Sequence, residues 1–223
     1  VFAAAPEHPE DIRTKLEALG ATPLEFSLNR TGLNPIKDLQ SISELKGLIR
    51  NNDIDLVFPY TVKPVIYGSI AANQCKVPVI SLITGLGYAF TGLSAKARLL
   101  QRFNEILYKL SIRKNKVIVF QNKDDYQLFL DRKIISKKQK VDFVSGSGVN
   151  LTQFSFKEKT PSEHVSFLLV ARLIKEKGIA LYMEAAKILK VKYPMAEFHL
   201  IGSPETSPSA ISIHELNNLH KEG

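Results

Sequence analysis

Val165, Phe167, Leu168, Leu169 and Val170 make a nearly unbroken apolar run, and a run of this kind restricts the fold more than any overall composition does. A strand that is apolar on both faces must be covered on both, which is the setting of a parallel sheet flanked by helices. A helical period follows over 179–193, and a second strand over 196–201. The same alternation fills the chain before it. Strands are expected over 1–5, 24–28, 53–59, 77–83, 116–120 and 141–144, and helices over 9–18, 36–50, 66–75 and 95–114. A further helix, capped by Asn122, carries Tyr126, Leu128, Phe129 and Leu130. Strand and helix in this succession call for parallel strands joined by right-handed crossovers, an α/β architecture of Rossmann-like type.

At 223 residues the chain has room for one such domain and part of another. Residues 1–150 read as the first, 151–163 as a polar, proline-containing crossing, and 164–223 as the beginning of a second. Two strands are too few to bury a sheet face alone, and residues 1–5 look like a strand already under way. The expectation is therefore an incomplete chain, its first strand missing and its second domain truncated. Residues 1–5 lack a basic segment and are cut short by Pro6, unlike a secretory signal. No apolar run approaches the roughly 18 residues of a membrane span. The single cysteine, Cys75, has no internal partner and suits helix packing in a reducing cytosol. The net charge of +8 is concentrated: residues 95–140 hold 13 Lys and Arg against 4 Asp and Glu, a net +9. Such a face suggests a phosphorylated ligand, an anionic membrane or nucleic acid.

In an open α/β sheet, ligands gather outside the carboxyl ends of the strands. Arg172 and Lys177 stand at such an end, just before a helix expected to begin near Gly178. Two cations and a helix N-terminus there suit one diphosphate; the alternative is a pair of solvated residues flanking a strand. Residues 170–178, V-A-R-L-I-K-E-K-G, resemble the G-R-L-x-x-E-K-G segment of the GT-B retaining glycosyltransferases of family 4. The resemblance implies that Arg172 and Lys177, with Gly178, hold the diphosphate of a nucleotide-sugar donor; Ala171 stands where the family usually has glycine.

Other segments extend the resemblance, toward a subgroup acting on lipid-linked sugars in bacterial surface-polysaccharide assembly. Residues 77–90 are similar to it, which places Thr84, Gly85, Gly87 and Tyr88 in an acceptor-side loop. Many relatives carry a histidine near Thr84, so the position is carried over without a base role. Gly85, Gly87 and Gly92 do not have the spacing of a dinucleotide fingerprint. Residues 60–64 match a T-x-K-P stretch of the subgroup, making Lys63 a candidate for an acceptor phosphate or a solvated lysine. Residues 147–154 resemble the family's N-G-V-D-x-x-x-F crossing, with Gly148 turning the chain and Phe154 anchoring it. His8 and Gly202, at strand ends, are further residues expected at the cleft. Asp53 and Asp55 have D-x-D spacing but belong to a buried strand, and the five histidines lack metal-ligand spacing.

The helix over 95–114 is expected to bury Leu99, Leu100, Phe103, Ile106, Leu107 and Leu110. Lys96, Arg98, Arg102, Lys109, Arg113 and Lys114 would then form an outer face, either solvated or lying on anionic headgroups.

Taken together, the resemblance implies a GT-B glycosyltransferase with the acceptor on its first domain and the donor on its second. It implies transfer of a hexose or N-acetylhexosamine from a UDP-sugar to a lipid-diphosphate-linked saccharide, with retention and no metal cofactor. The place of action would be cytoplasmic, peripheral at the inner face of the plasma membrane. The family's paired glutamates are not found, so no catalytic residue is assigned and this polypeptide alone is expected to be inactive or nearly so. The alternatives are a GT-B sugar-nucleotide epimerase and a basic nucleic-acid-binding module; the latter lacks interleaved aromatic and basic residues.

Overall fold

The computed structural model describes residues 1–29, 34–85, 95–158, 164–203 and 209–221. The chain divides into two compact units, Val1–Asn150 and Leu151–Gly223. In the first, β1 (Phe2–Ala5), α1 (Glu10–Ala18) and β2 (Thr22–Glu25) form a β-α-β unit with parallel strands. Helix α2 (Pro35–Asn51) starts on a proline, and the Asn34 side chain caps it by accepting the Lys37 N–H at 3.2 Å. There follow α3 (Val62–Gln74), β3 (Ile80–Ile83), α4 (Ala95–Ile112), β4 (Val117–Phe120), α5 (Lys123–Asp131) and β5 (Val141–Phe143). Strands β3, β4 and β5 lie side by side in that order, all parallel. In the second unit β6 (Ser166–Val170) and β7 (Glu197–Ile201) pair in parallel around α6 (Ile179–Lys192), with α7 (Ile213–Lys221) after them. The α/β class with parallel sheets is the observed one.

Helix α3 is apolar or small nearly all round (V-K-P-V-I-Y-G-S-I-A-A-N-Q) and accordingly lies inside, packed on α2 and α4. Val65, Ile66 and Tyr67 from it join Ile83, Tyr108, Ile112, Ile118, Phe120 and Phe129 in the main core. The rings of Phe120 and Tyr108 each meet Phe129 edge-on, at 5.3 and 5.2 Å between centroids. Gly68 is where α3 comes closest to the segment before it: a Cβ there would lie 3.2 Å from the Pro59 side chain.

Three expectations shift. The second strand lies at Thr22–Glu25 rather than over 24–28; the Phe26 N–H makes the last bond to β1, to the Ala5 carbonyl at 3.2 Å, before the chain leaves the sheet. The stretch 53–59 forms no regular strand. It makes single parallel bridges, Val57 to Val79 and Tyr60 to Leu82, since Pro59 and Pro78 have no N–H to give a continuous ladder.

The third concerns α4, which is rotated from the expected orientation. Leu99, Phe103, Ile106 and Leu110 are 73, 44, 58 and 65% exposed, and Leu107 is half-buried. The side chain of Leu100 lies outside the described residues. Gln101, Asn104, Tyr108, Ser111 and Ile112 face the core instead. Buried Gln101 and Ser111 on that face are tolerated because they are hydrogen-bonded. Gln101 Nε2 donates to Glu105 at 2.9 Å, Ser111 Oγ to the Tyr108 carbonyl at 3.1 Å, and Asn73 Nδ2 to the Ser111 carbonyl at 3.2 Å.

Candidate functional site

Within each sheet the strands are parallel, so their exits share one end of that sheet. At the β6 exit the Ala171 N–H donates to the Ile201 carbonyl at 3.0 Å, holding the ends of β6 and β7 side by side. Arg172 comes next and is exposed; Leu173 and Ile174 then turn inward and are buried. Segment 209–211 crosses this loop, with Lys175 N–H to the Ser209 carbonyl at 3.0 Å and Ile211 N–H to the Leu173 carbonyl at 2.9 Å. Leu173, Ile179 and Ile211 form one buried cluster beneath it. The loop is thus pinned from below while its cations point outward.

Lys177 lies in a 3-10 turn, Lys175–Lys177, and not in the helix proper. Helix α6 starts two residues later, because Gly178 takes a left-handed conformation at φ 71° between turn and helix. Lys177 is exposed, like Arg172. Gly202 closes the arrangement: a Cβ there would collide with the Ala171 carbonyl oxygen and approach Leu173 Cδ2 to 2.8 Å. Only glycine lets the two strand exits come this close. Arg172, Lys177, Gly178 and Gly202 therefore gather at the carboxyl end of one two-stranded sheet, an arrangement suited to an anionic group.

In the first unit Thr84 and Gly85 leave β3, with Gly85 at φ 141°. Gly87 and Tyr88 lie outside the described residues. Lys63 stands in the first turn of α3, where its ammonium donates to the Asn29 carbonyl at 2.7 Å and pairs with Asp38 of α2 at 3.3 Å. Its side chain is 17% exposed. Asp38 also accepts a hydrogen bond from Tyr67. Burial first, then that bond and the carboxylate's charge, hold the phenol above its ordinary pKa. His8 turns back across its own sheet: Nε2 carries the proton and shares it between the Ala3 and Leu24 carbonyls, both at 3.1 Å, tying β1 to β2. Gly148 is exposed in the segment after β5, at φ 74°.

Two features were not anticipated. Thr61, the N-cap of α3, has φ 67°, a strained value for a β-branched residue, at the exit of the 57–60 segment. The Asp38–Lys63–Tyr67 cluster joins residues 25 and 29 positions from Asp38, and only the charge signs hinted at it. Among the described residues no group of three or more His, Cys, Asp and Glu is placed to hold a metal ion. Among them, too, no helix is long and apolar enough to cross a membrane.

Comparison with known proteins gives consistent matches. The model of a family described as "Glycosyl transferase 4-like" matches residues 5–122. A Campylobacter jejuni protein, N,N'-diacetylbacillosaminyl-diphospho-undecaprenol alpha-1,3-N-acetylgalactosaminyltransferase, is 27% identical over 231 residues, covering 98% of this chain and 60% of its own length. Among solved structures, a glycosyltransferase from Rickettsia africae superposes with a TM-score of 0.63 at 17% identity. That match covers 99% of this chain and 55% of the Rickettsia chain. Anabaena HepE in complex with UDP-glucose gives a TM-score of 0.66 at 14% identity, over 99% of this chain and 57% of its own. The chain thus spans little more than half the length of the proteins it matches, and the solved structures establish the fold.

Proposed function

The chain belongs to the glycosyl transferase 4-like family, and from that premise we propose that it serves a glycosyltransferase whose donor is a UDP-sugar and whose acceptor is a lipid-diphosphate-linked saccharide. A hexose or N-acetylhexosamine would pass to the acceptor with retention of configuration. The observation that carries this reading is the β6 exit, where Arg172 and Lys177 are both exposed on a loop anchored by buried Leu173, Ile174 and Ile179.

When the bond between the sugar and the diphosphate breaks, negative charge grows on the leaving oxygen. Fixed cations there stabilise the transition state more than the ground state. Arg172 presents a planar fork of donors and Lys177 a compact charge, so together they bind and neutralise a diphosphate without a metal ion. Gly178 lets the chain pass from turn to helix, and Gly202 keeps the two strand exits together. The UDP-glucose bound by the Anabaena structure supports the donor class. The acceptor named for the Campylobacter relative supports a lipid-linked saccharide. Thr84 and Gly85 are the described residues offered to the acceptor, and a reaction on such a lipid would bring the protein to a membrane surface, which we take to be the cytoplasmic face.

The test is sugar transfer by the protein as its gene encodes it, compared with Arg172→Ala and Lys177→Ala. Each substitution is expected to slow transfer about 100-fold or more, by analogy with loss of one charge-stabilising donor. Full activity in both variants overturns the assignment.

A further inference from the structure

The outward face of α4 is unlike any ordinary solvated helix face. Leu99, Phe103, Ile106 and Leu110, spaced 4, 3 and 4 residues apart, lie in one line along about 16 Å of helix and are all exposed. Arg98, Arg102, Lys109 and Arg113 repeat along one flank of this line, all exposed, and Lys114 stands beyond its end on the other. Glu105, the helix's one acid, is turned aside: it accepts from Gln101 and pairs with Arg132 at 3.9 Å. The same flank opens into a cleft of about 650 Å³ whose rim carries Lys109, Arg113, Lys133 and Lys137. Its apolar side is formed by Leu130, Ile134 and Ile135; its acid, Asp131, accepts from Gln127 at 2.8 Å.

We propose that α4 docks the protein on an anionic bilayer by inserting Leu99, Phe103, Ile106 and Leu110 at the headgroup–acyl boundary, with a headgroup phosphate seated in the cleft between Lys109, Arg113, Lys133 and Lys137. An apolar stripe bordered by cations is what an interfacial helix presents: the stripe leaves water, and the cations stay at headgroup depth. The 4-3-4 spacing also fits a helix–helix seam. Against a second copy in antiparallel register, however, Arg102 and Lys109 would meet their own kind, whereas an anionic surface complements them. The role is that of the stripe as well as the charges, so salt that screens the charges should weaken the contact without abolishing it. This inference deepens the membrane location given above and rests on it, but it is read without sugar transfer, so either can fail alone.

The sequence contains no tryptophan, so Phe103→Trp installs a single reporter on the stripe. With vesicles of phosphatidylglycerol and phosphatidylcholine its emission should shift to the blue, and with phosphatidylcholine alone much less. In vesicle co-sedimentation, Phe103→Glu with Ile106→Glu should reduce binding about 10-fold or more. Lys109→Ala with Arg113→Ala should reduce it about 10- to 30-fold, from roughly 1 kcal/mol per cation near such a surface. Circular dichroism melting should be unchanged in these variants, because all four side chains are exposed. Binding by the glutamate variant equal to the parent's, or no binding of the parent to anionic vesicles, overturns the proposal. So does a concentration-dependent dimer in sedimentation velocity that the glutamate substitutions abolish, since a second copy then covers the stripe.

Discussion

Lys63 and the pair Arg172 and Lys177 hold comparable stations, the one just past the bridged 57–60 segment and the others past β6, and the structure treats them differently. Lys63 is drawn inward, its ammonium engaged by Asp38 and the Asn29 carbonyl beneath the start of α3. Arg172 and Lys177 stay at the surface because the residues between and after them, Leu173, Ile174 and Ile179, take the buried positions of the loop. A cation at a strand exit is therefore not by itself a ligand group. What separates the cases is burial: Lys63 is drawn under the start of α3, where Asp38 engages it, whereas Arg172 and Lys177 remain exposed.

The largest effect that sharpens this contrast is on chemistry. Removing Arg172 and Lys177 together should leave at most about 1% of the transfer rate, with unfolding free energy within about 0.5 kcal/mol of the parent in urea, as for exposed positions. Next is Gly202→Val, which forces a side chain against the Ala171 carbonyl and Leu173. Urea unfolding followed in the second unit should show a loss of about 1–3 kcal/mol, the range for overpacking. Lys63→Met should cost about 1–2 kcal/mol in the first unit, by leaving Asp38 and the Asn29 carbonyl short of a donor. It should leave UDP affinity alone; a large loss of UDP affinity with normal stability would instead make Lys63 a ligand residue and break the comparison.

The smallest effect is at Glu44, which accepts the Ser27 N–H at 2.6 Å and the Gln40 side chain at 2.8 Å. The Ser27 backbone bond, chiefly, holds its carboxyl below the usual range. A group with a depressed folded pKa adds stability above its unfolded pKa, about 4.3, and loses it as pH falls through the folded value. Glu44→Gln should therefore remove a small amount of stability at pH 7, a difference that shrinks as pH falls below about 4.3, leaving a flatter acid limb in the pH–stability curve.

Much of the fold was legible because its strands are written as apolar runs: Ile80–Ile83, Val117–Phe120 and Ser166–Val170 are all parallel strands. Asp53 to Pro59 was less so, since a proline's missing donor interrupts a ladder without disturbing the apolar pattern. The rotation of α4 was hidden for a different reason. Both of its faces have a helical period, and counting apolar residues selects Leu99, Phe103, Ile106 and Leu110 over a face built from Gln101, Asn104, Tyr108, Ser111 and Ile112. Hydrogen bonds to α3 and within α4 decide for the second, and those partners are invisible in one dimension. The same holds at the candidate site. Arg172 and Lys177 were marked by their place after a strand, but the fate of Lys63 depended on Asp38, 25 residues away. The need for glycine at 202 depended on a carbonyl oxygen 31 residues earlier. Thr61 gave no sign of its left-handed backbone.

Calorimetric titration of the encoded protein with UDP and, separately, with uridine addresses the diphosphate directly. If Arg172 and Lys177 hold it, each alanine substitution weakens UDP about 10- to 100-fold, the worth of a hydrogen bond to a charged group, while uridine binds as before. If UDP binds both variants as tightly as the parent, or uridine weakens in step with UDP, those two cations are not the diphosphate site.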